Sequence, residues 1–472
     1  MSKNYSFKLD FYKFLRKDLF AVEEREIILN GNLRKLLFKF SLPATIGLVV
    51  SALYNVVDTL YVGHGVGPLA IAGLAIVLPI QILMFAVGMM IGAGSGSIIS
   101  RSLGRNDKQK AILTTGNGII LNFVISIIFM IPCYFLMDKI LMFFGASRDV
   151  IVYSKDYISV ILFGFMFQSF DIAGNNIIRA EGRPRASMYA LILGAALNII
   201  LDPVFIFVFK MGVKGAAIAT VISQIFSTAY ILLYFMFGKS IFKLNLKMFK
   251  PDIPIIKEIL KIGFPSFLMG IVDSVIFILF NRAILKYGND LYIAVMGIAI
   301  RIMDVTIMPI IGIAQGFSTI TGFNYGAKKF DRVKFILRES FLWTTIISAI
   351  SFILIFGFPK LMLGIFSSNR DLVAIGILPL RITTALFITL GIQFIGGSFF
   401  QAIGKVVPAL ILNISRQVIF LLPGIIILPL FFKLNGVWFS LPLSDFLSTT
   451  LTLFFIAYEL KLIKKLQMKD NF

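Results

Sequence analysis

The chain has 472 residues, 58% of them hydrophobic and only 15% charged, with a mean hydropathy of +0.92. Soluble domains carry about a quarter charged residues, so a water-soluble fold is excluded and the net charge of +21 does not imply nucleic acid. One His and one Cys cannot build a zinc cluster, and with His64 at the outer end of the first span and Cys133 inside the third they suggest no Cys/His pair, which argues against an enzyme; Cys133 can form no internal disulfide.

Apolar runs of about 20 residues, enough to cross a bilayer as a helix, recur along the whole length. Twelve spans are predicted, at 40–63, 69–97, 111–136, 150–175, 185–209, 214–238, 257–284, 291–320, 334–358, 371–396, 405–432 and 436–460. Residues 1–38 precede them as a basic segment without the continuous apolar core of a cleavable signal. Its end, with Leu33, Leu36, Leu37 and Phe40 among Arg34, Lys35 and Lys39, reads either as a helix on the inner leaflet or as a solvated tail.

The first span carries Tyr54 and Asp58, four residues apart and so on one helix face. A charged acid at mid-depth costs roughly 2.5–3.5 kcal/mol, so a chain that keeps one there usually binds or releases an ion with it. In the second span, Gly88, Gly92 and Gly96 follow no strand and read as a packing face rather than a phosphate loop. The fifth span repeats the first pattern, with Asn198 and Asp202 four apart and Pro203 next. A basic linker, 239–256, with Pro251 and Pro254 leads to the second set of spans, 257–460, and a short tail, 461–472, closes the chain. Lys and Arg are concentrated in every second loop, which places both termini in the cytoplasm.

The two sets repeat one another at a constant offset of 222 residues. Lys35, Lys39 and Pro43 fall on Lys257, Lys261 and Pro265, Gly94 and Gly104 on Gly316 and Gly326, and Ala180 and Gly182 on Ala402 and Gly404. Each set has six spans, so 39–238 and 257–460 enter the membrane in the same direction, as parallel repeats do. The expected fold is all-α, two pseudo-symmetric six-helix bundles, with Pro43 and Pro265 at equivalent places as candidate hinges.

These residues resemble the multidrug and toxic compound extrusion family over 36–460. The resemblance rests on Leu42-Pro43 followed by Asp58-Thr59, on Ile178 through Pro184, on Asn198 through Asp202-Pro203, and on Gly312 through Gly316 with Gly322 through Ala327. It implies a secondary active transporter of the cell membrane that exports organic cations in exchange for H⁺ or Na⁺ by alternating access. It implies no cofactor and small organic cations and lipid as partners, and the chain is expected to act as a monomer. By resemblance Pro43, Tyr54, Asp58, Asn198, Asp202 and Thr220 form the cation site. Another branch of the family places an acid eight residues after the proline of the seventh span, where this chain has Asp273. That branch's further acid in the tenth span has no match in 374–398, which leaves a second cation site incomplete.

Carboxylates, amide, phenol and hydroxyl all offer oxygen, which suits a hard cation such as Na⁺ at Asp58, Asn198, Asp202 and Thr220. Two carboxylates in a poorly hydrated pocket also hold a proton readily, so H⁺ and Na⁺ stay open. Asn175, Asp273, Asp304 and Gln315 are candidates for the substrate cavity, Asp304 alternatively pairing with Arg301 and Gln315 alternatively bonding between helices. A channel is disfavoured by the asymmetric acids and twin bundles. The alternative is a flippase for lipid-linked saccharides, which needs basic groups on the cavity wall to grip pyrophosphate. Arg282, Arg301, Arg381 and Arg416 are the residues that would serve it.

Overall fold

A computed structural model of the chain describes residues 24–66, 68–144, 146, 150–242, 246–366 and 369–470. The described residues are almost entirely helical, with no strand among them. The first bundle comprises α1 (Leu33–Gly65), α2 (Pro68–Gly104), α3 (Lys108–Phe135), α4 (Ile151–Ala180), α5 (Pro184–Pro203, continued by a π-helical turn, Val204–Val208) and α6 (Gly212–Phe237). The second comprises α7 (Ile253–Tyr287), α8 (Asp290–Gly326), α9 (Phe330–Gly357), α10 (Arg370–Thr383 with Leu390–Ala402), α11 (Val406–Ile414, a π turn at Ser415–Leu421, and on to 432) and α12 (434–470). Two short helices, Met137–Phe143 and Pro359–Phe366, begin at positions that the repeat relates and were not foreseen as separate elements.

Among the described residues, ten continuous helices are long and apolar enough to cross a membrane, and the bent pair of α10 makes an eleventh. The last of the ten, Val406–Lys465, has 60 residues, far more than the ~20 that one crossing takes. It reverses at Lys433, whose φ of 50° breaks the helix. Gly424 packs on Ser440 and Gly436 on Leu428, pairs that only antiparallel arms can form. The molecule is therefore a twelve-span multi-pass membrane protein. Helix starts are fixed where the chain enters the membrane: the side chains of Asn32, Asp107, Asp252, Asn289 and Asn369 each accept from a backbone N–H of the turn that follows, worth about 1 kcal/mol apiece.

Glycine sets the seam between the bundles. A Cβ on Gly104 would lie 2.1 Å from the Phe323 carbonyl oxygen, and one on Gly326 would lie 2.1 Å from that of Arg101. Residues 101 and 323, like 104 and 326, are 222 apart, so these two contacts exchange under the pseudo-twofold axis. Gly322 against Ser100 pairs two equivalent positions and so straddles that axis. With no side chain between them, the two backbones touch.

Buried apolar residues join both bundles near the termini, from Leu36 and Phe40 through Leu103 to Phe323, Phe399 and Ile463. Toward the opposite face the core divides. Val62, Ile158 and Phe165 belong to one cluster, built on the first bundle and joined from the second only by the start of α7 at Ile255, Ile259 and Ile262 among its buried residues, while Phe280 with Trp438 and Ile302 with Leu380 belong to two others in the second. The bundles thus meet most closely at the end that carries the termini.

That end is also clasped by residues 24–32. Arg25 donates to the carbonyls of Leu103 (3.1 Å) and Gly104 (3.0 Å) in the first bundle. From the second bundle, Arg332 donates to Ile28 (3.1 Å) and Gly31 (2.7 Å), and Lys329 to Leu29 (3.2 Å). Both readings of residues 33–40 are corrected: they are the first turns of α1 itself. Leu33, Leu36, Leu37 and Phe40 are buried against the joint core and Arg34, Lys35 and Lys39 point outward, because the apolar stripe finds protein rather than lipid to cover it. The part of the basic segment before Glu24 lies outside the described residues. The linker is pinned too: Asn117 of α3 donates to Lys250 O (3.1 Å) and accepts from Asp252 N (2.8 Å).

Candidate functional site

Four helices of the first bundle bring together Asp58 (α1), Tyr157 (α4), Asn198 and Asp202 (α5) and Thr220 (α6). The Asn198 amide donates to Asp202 Oδ1 (3.1 Å) and to Thr220 Oγ1 (3.2 Å). The Asp58 and Asp202 carboxyl groups lie within hydrogen-bonding reach of each other. All four of Asp58, Asn198, Asp202 and Thr220 are buried, at 8%, 1%, 0% and 9% exposure. Pro203 removes a backbone donor right after Asp202, and the chain widens into the π turn Val204–Val208, a local irregularity that often marks a functional position.

Three oxygens of this group are buried without a hydrogen-bond partner: Asp58 Oδ1, Asn198 Oδ1 and Asp202 Oδ2. Each such atom is costly unless something charged or donating meets it. Two unit charges 4 Å apart repel by about 4 kcal/mol at an effective dielectric of 20, so the carboxyl pair is stable only with a cation or a proton. Among the described residues no three His, Cys, Asp or Glu come together. The donor set here is two carboxylates, an amide and a hydroxyl, all oxygen, which fits a hard monovalent cation.

Tyr54, one turn from Asp58 on α1, is within electrostatic reach of Asp58, Asp202 and a further acid, Asp171 of α4. Tyr157 accepts a hydrogen bond from Gln81 of α2 at 3.2 Å and lies within electrostatic reach of Asp58 and Asp202. The sequence reading singled out none of Asp171, Tyr157 and Gln81. Asp171 could have been found by noting every acid inside a span, whereas nothing in the sequence marks the other two.

The remaining candidates are scattered. Asn175 is 2% exposed, its amide donating to Asp171 O (2.8 Å) and its oxygen accepting from Ser187 (2.8 Å), so it is engaged inside α4 and α5. Asp273 accepts from Gln417 of α11 and, like Asp304, has an exposed side chain. Arg301 is within electrostatic reach of Asp304, with no ion pair between them among the described residues. Gln315 lies between Gly312 and Gly316, which pack on Thr45 and Ser41 of α1, and its Oε1 is buried without a partner. Pro43 and Pro265 lie inside the unbroken helices α1 and α7. Of the four arginines, Arg416 pairs with the buried Asp445 of α12 (2.6 Å) and Arg381 donates to Phe356 O (3.1 Å).

At the loop between α4 and α5, outside the spans, Glu181 is fully buried and accepts from Tyr234, Ser240 (2.8 Å) and Ile241 N (3.0 Å). Burial pushes its carboxyl up to about 7 against the pull of those donors and of Arg183.

Comparison with known proteins agrees with this architecture. The chain is 29% identical over 411 residues to the multidrug export protein MepA of Staphylococcus aureus strain MSSA476, covering 87% of this chain and 90% of that protein. It superposes on a MATE crystallised in complex with MaL6 with a TM-score of 0.89 at 26% identity, over 93% of this chain and 99% of the other. A multidrug resistance MATE family transporter of the MOP superfamily in an outward-facing conformation gives 0.88 at 27% identity, over 93% and 98%. The MatE family model matches twice, at residues 43–204 and 265–426, 222 residues apart and one match in each bundle. Two family matches, one on each half of a twelve-span bundle, establish that the chain belongs to the MatE family of transporters.

Proposed function

We propose that the protein exports amphipathic organic cations from the cell in exchange for H⁺ or Na⁺, with both termini in the cytoplasm and one chain as the working unit. The observation that carries the reading is the approach of Asp58 to Asp202 in a buried group in which three oxygens, on Asp58, Asn198 and Asp202, have no partner. A proton or Na⁺ there removes the repulsion between the carboxylates and lets α1 settle against α5. Its departure restores the repulsion and drives α1 away. The state of the pair thereby sets which way the two bundles tilt about their glycine seam, and so which side the drug can reach. Exchange of one proton for one monovalent cation moves no net charge, so the pH gradient alone supplies the drive, at roughly 1.4 kcal/mol per tenfold.

The lipid-linked saccharide reading is weaker. Its basic grip would come from the second bundle, where Arg416 is already committed to Asp445 and Arg381 to a backbone carbonyl. The deciding experiment is ethidium efflux from proteoliposomes under an imposed pH or Na⁺ gradient, wild type against Asp58→Asn. One of the gradients should drive wild-type efflux and neither should drive the variant. Normal efflux by Asp58→Asn removes the pair from the mechanism.

A further inference from the structure

Asp171 has no role in the coupling group just described, yet it sits in the same bundle and is half-buried. Its Oδ1 accepts a long hydrogen bond from Thr228 of α6, at 3.5 Å, Ser227 of the same helix lies within hydrogen-bonding reach, and it forms no ion pair among the described residues. The basic side chain nearest along α4, Arg179, is buried and occupied by Ser187 (2.9 Å) and Asn176 (2.9 Å). Asp171 is therefore a carboxylate in the membrane interior that the protein itself leaves without a counter-charge.

The internal repeat shows what this position needs for folding. The equivalent of Asp171 in the second bundle is Gln393 of α10, which bridges to α12 by donating to Thr449 Oγ1 (2.9 Å) and Asp445 O (3.1 Å). Thr449 is the equivalent of Ser227, the neighbour of Thr228. The same helix-to-helix link is thus made in the second bundle by a neutral amide. A structural link accounts for a polar side chain at 171 but not for a charged one.

Resting on the exporter reading, we infer that Asp171 is the carboxylate that holds the charge of the transported organic cation, separate from the Asp58 and Asp202 pair that holds the coupling ion. Tyr54 stands within electrostatic reach of both groups. A carboxylate with an aromatic side chain in its neighbourhood suits a bulky, weakly hydrated cation such as a quaternary ammonium or phosphonium. Two carboxylate stations in one bundle give drug and coupling ion separate sites, linked through α1, which carries Tyr54 and Asp58.

The test is equilibrium binding of tetraphenylphosphonium to the purified protein in nanodiscs, together with gradient-driven ethidium efflux. Asp171→Gln installs the residue that the second bundle already uses, and should weaken tetraphenylphosphonium binding by roughly 30-fold or more, the effect of truncating one member of a desolvated charge pair. Asp171→Asn should behave alike and Asp171→Glu should recover most of the affinity. Asp58→Asn should keep the binding and lose the gradient drive. Unchanged affinity in both neutral variants overturns the assignment, as does loss of binding in Asp58→Asn with Asp171→Gln intact. A wild-type protein that binds tetraphenylphosphonium but shows no gradient-driven efflux sinks the exporter reading, whereas no binding by wild type sinks the Asp171 assignment.

Discussion

The two bundles share one helix plan and one line of family matches, but they have filled it differently. Where the first bundle places Asp58, Asn198, Asp202 and Thr220, the positions 222 residues on are Phe280, Phe420, Gly424 and Pro442. Phe280 is 2% exposed with its ring 6.3 Å from that of Trp438, and Gly424 lets α11 lie against Ser440 of α12. At these four positions the second bundle is thus apolar, and it folds without any of the four polar groups. Those groups are not what holds a six-helix unit together. The first bundle carries their desolvation cost for a purpose other than folding.

The strongest way to break this contrast is Asp202→Asn, for which gradient-driven ethidium efflux should fall to the level of protein-free vesicles while the melting temperature stays the same or rises. A large loss of thermal stability would show that the acid is structural after all. The reverse transplant, Phe280→Asp, places an uncompensated charge beside Trp438 and should destabilise the protein by about 3–5 kcal/mol, seen as poor recovery from detergent and early aggregation on heating. A stable variant would mean that the second bundle retains a polar pocket.

A milder contrast lies at the corner after α4. Glu181 there corresponds to the buried Ile403, beside which Lys405 pairs with Glu459 at 2.6 Å. Because the buried carboxyl is raised to about 7 from its ordinary value of 4.5, the folded protein binds an extra proton between those values. The stability linked to that proton is complete below pH 4.5 and is lost as pH rises through 7. The melting temperature of wild type relative to Glu181→Gln should therefore decline from pH 4.5 to 7 and level off above 8, a total of up to roughly 3 kcal/mol. A flat difference across that range would deny the raised value. Smallest of all, Gly104→Ala and Gly326→Ala each force a methyl into a facing carbonyl, at about 1–3 kcal/mol. Their effects on melting should match within error, since the pseudo-twofold axis exchanges the two contacts, and unequal losses would place that axis elsewhere.

Much of this was legible in the sequence. Twelve apolar runs, the 222-residue repeat and acids four residues from an amide or phenol sufficed to name the helices and most of the coupling group. Asp171 and Asp445 lie outside the family motif, although each is an acid inside a span and legible as such. Gln81 and Tyr157 could not be foreseen, since their meeting depends on how α2 and α4 rotate against each other. The clasp at residues 24–32 was hidden for another reason. Arg25, Arg332 and Lys329 grip backbone carbonyls, and an acceptor that every residue possesses leaves no trace in composition or spacing.

That clasp makes the amino-terminal stretch a natural vantage point. A fluorophore on the exposed Glu26 would sit astride the joint, tethered through Arg25 to one bundle and through Arg332 to the other, and its emission should jump each time the pair swings. The same dye beyond Lys461, on the end of α12 that Gln467 ties to Lys334 and Asp331 of its own bundle, would ride along with that bundle and serve as its silent twin.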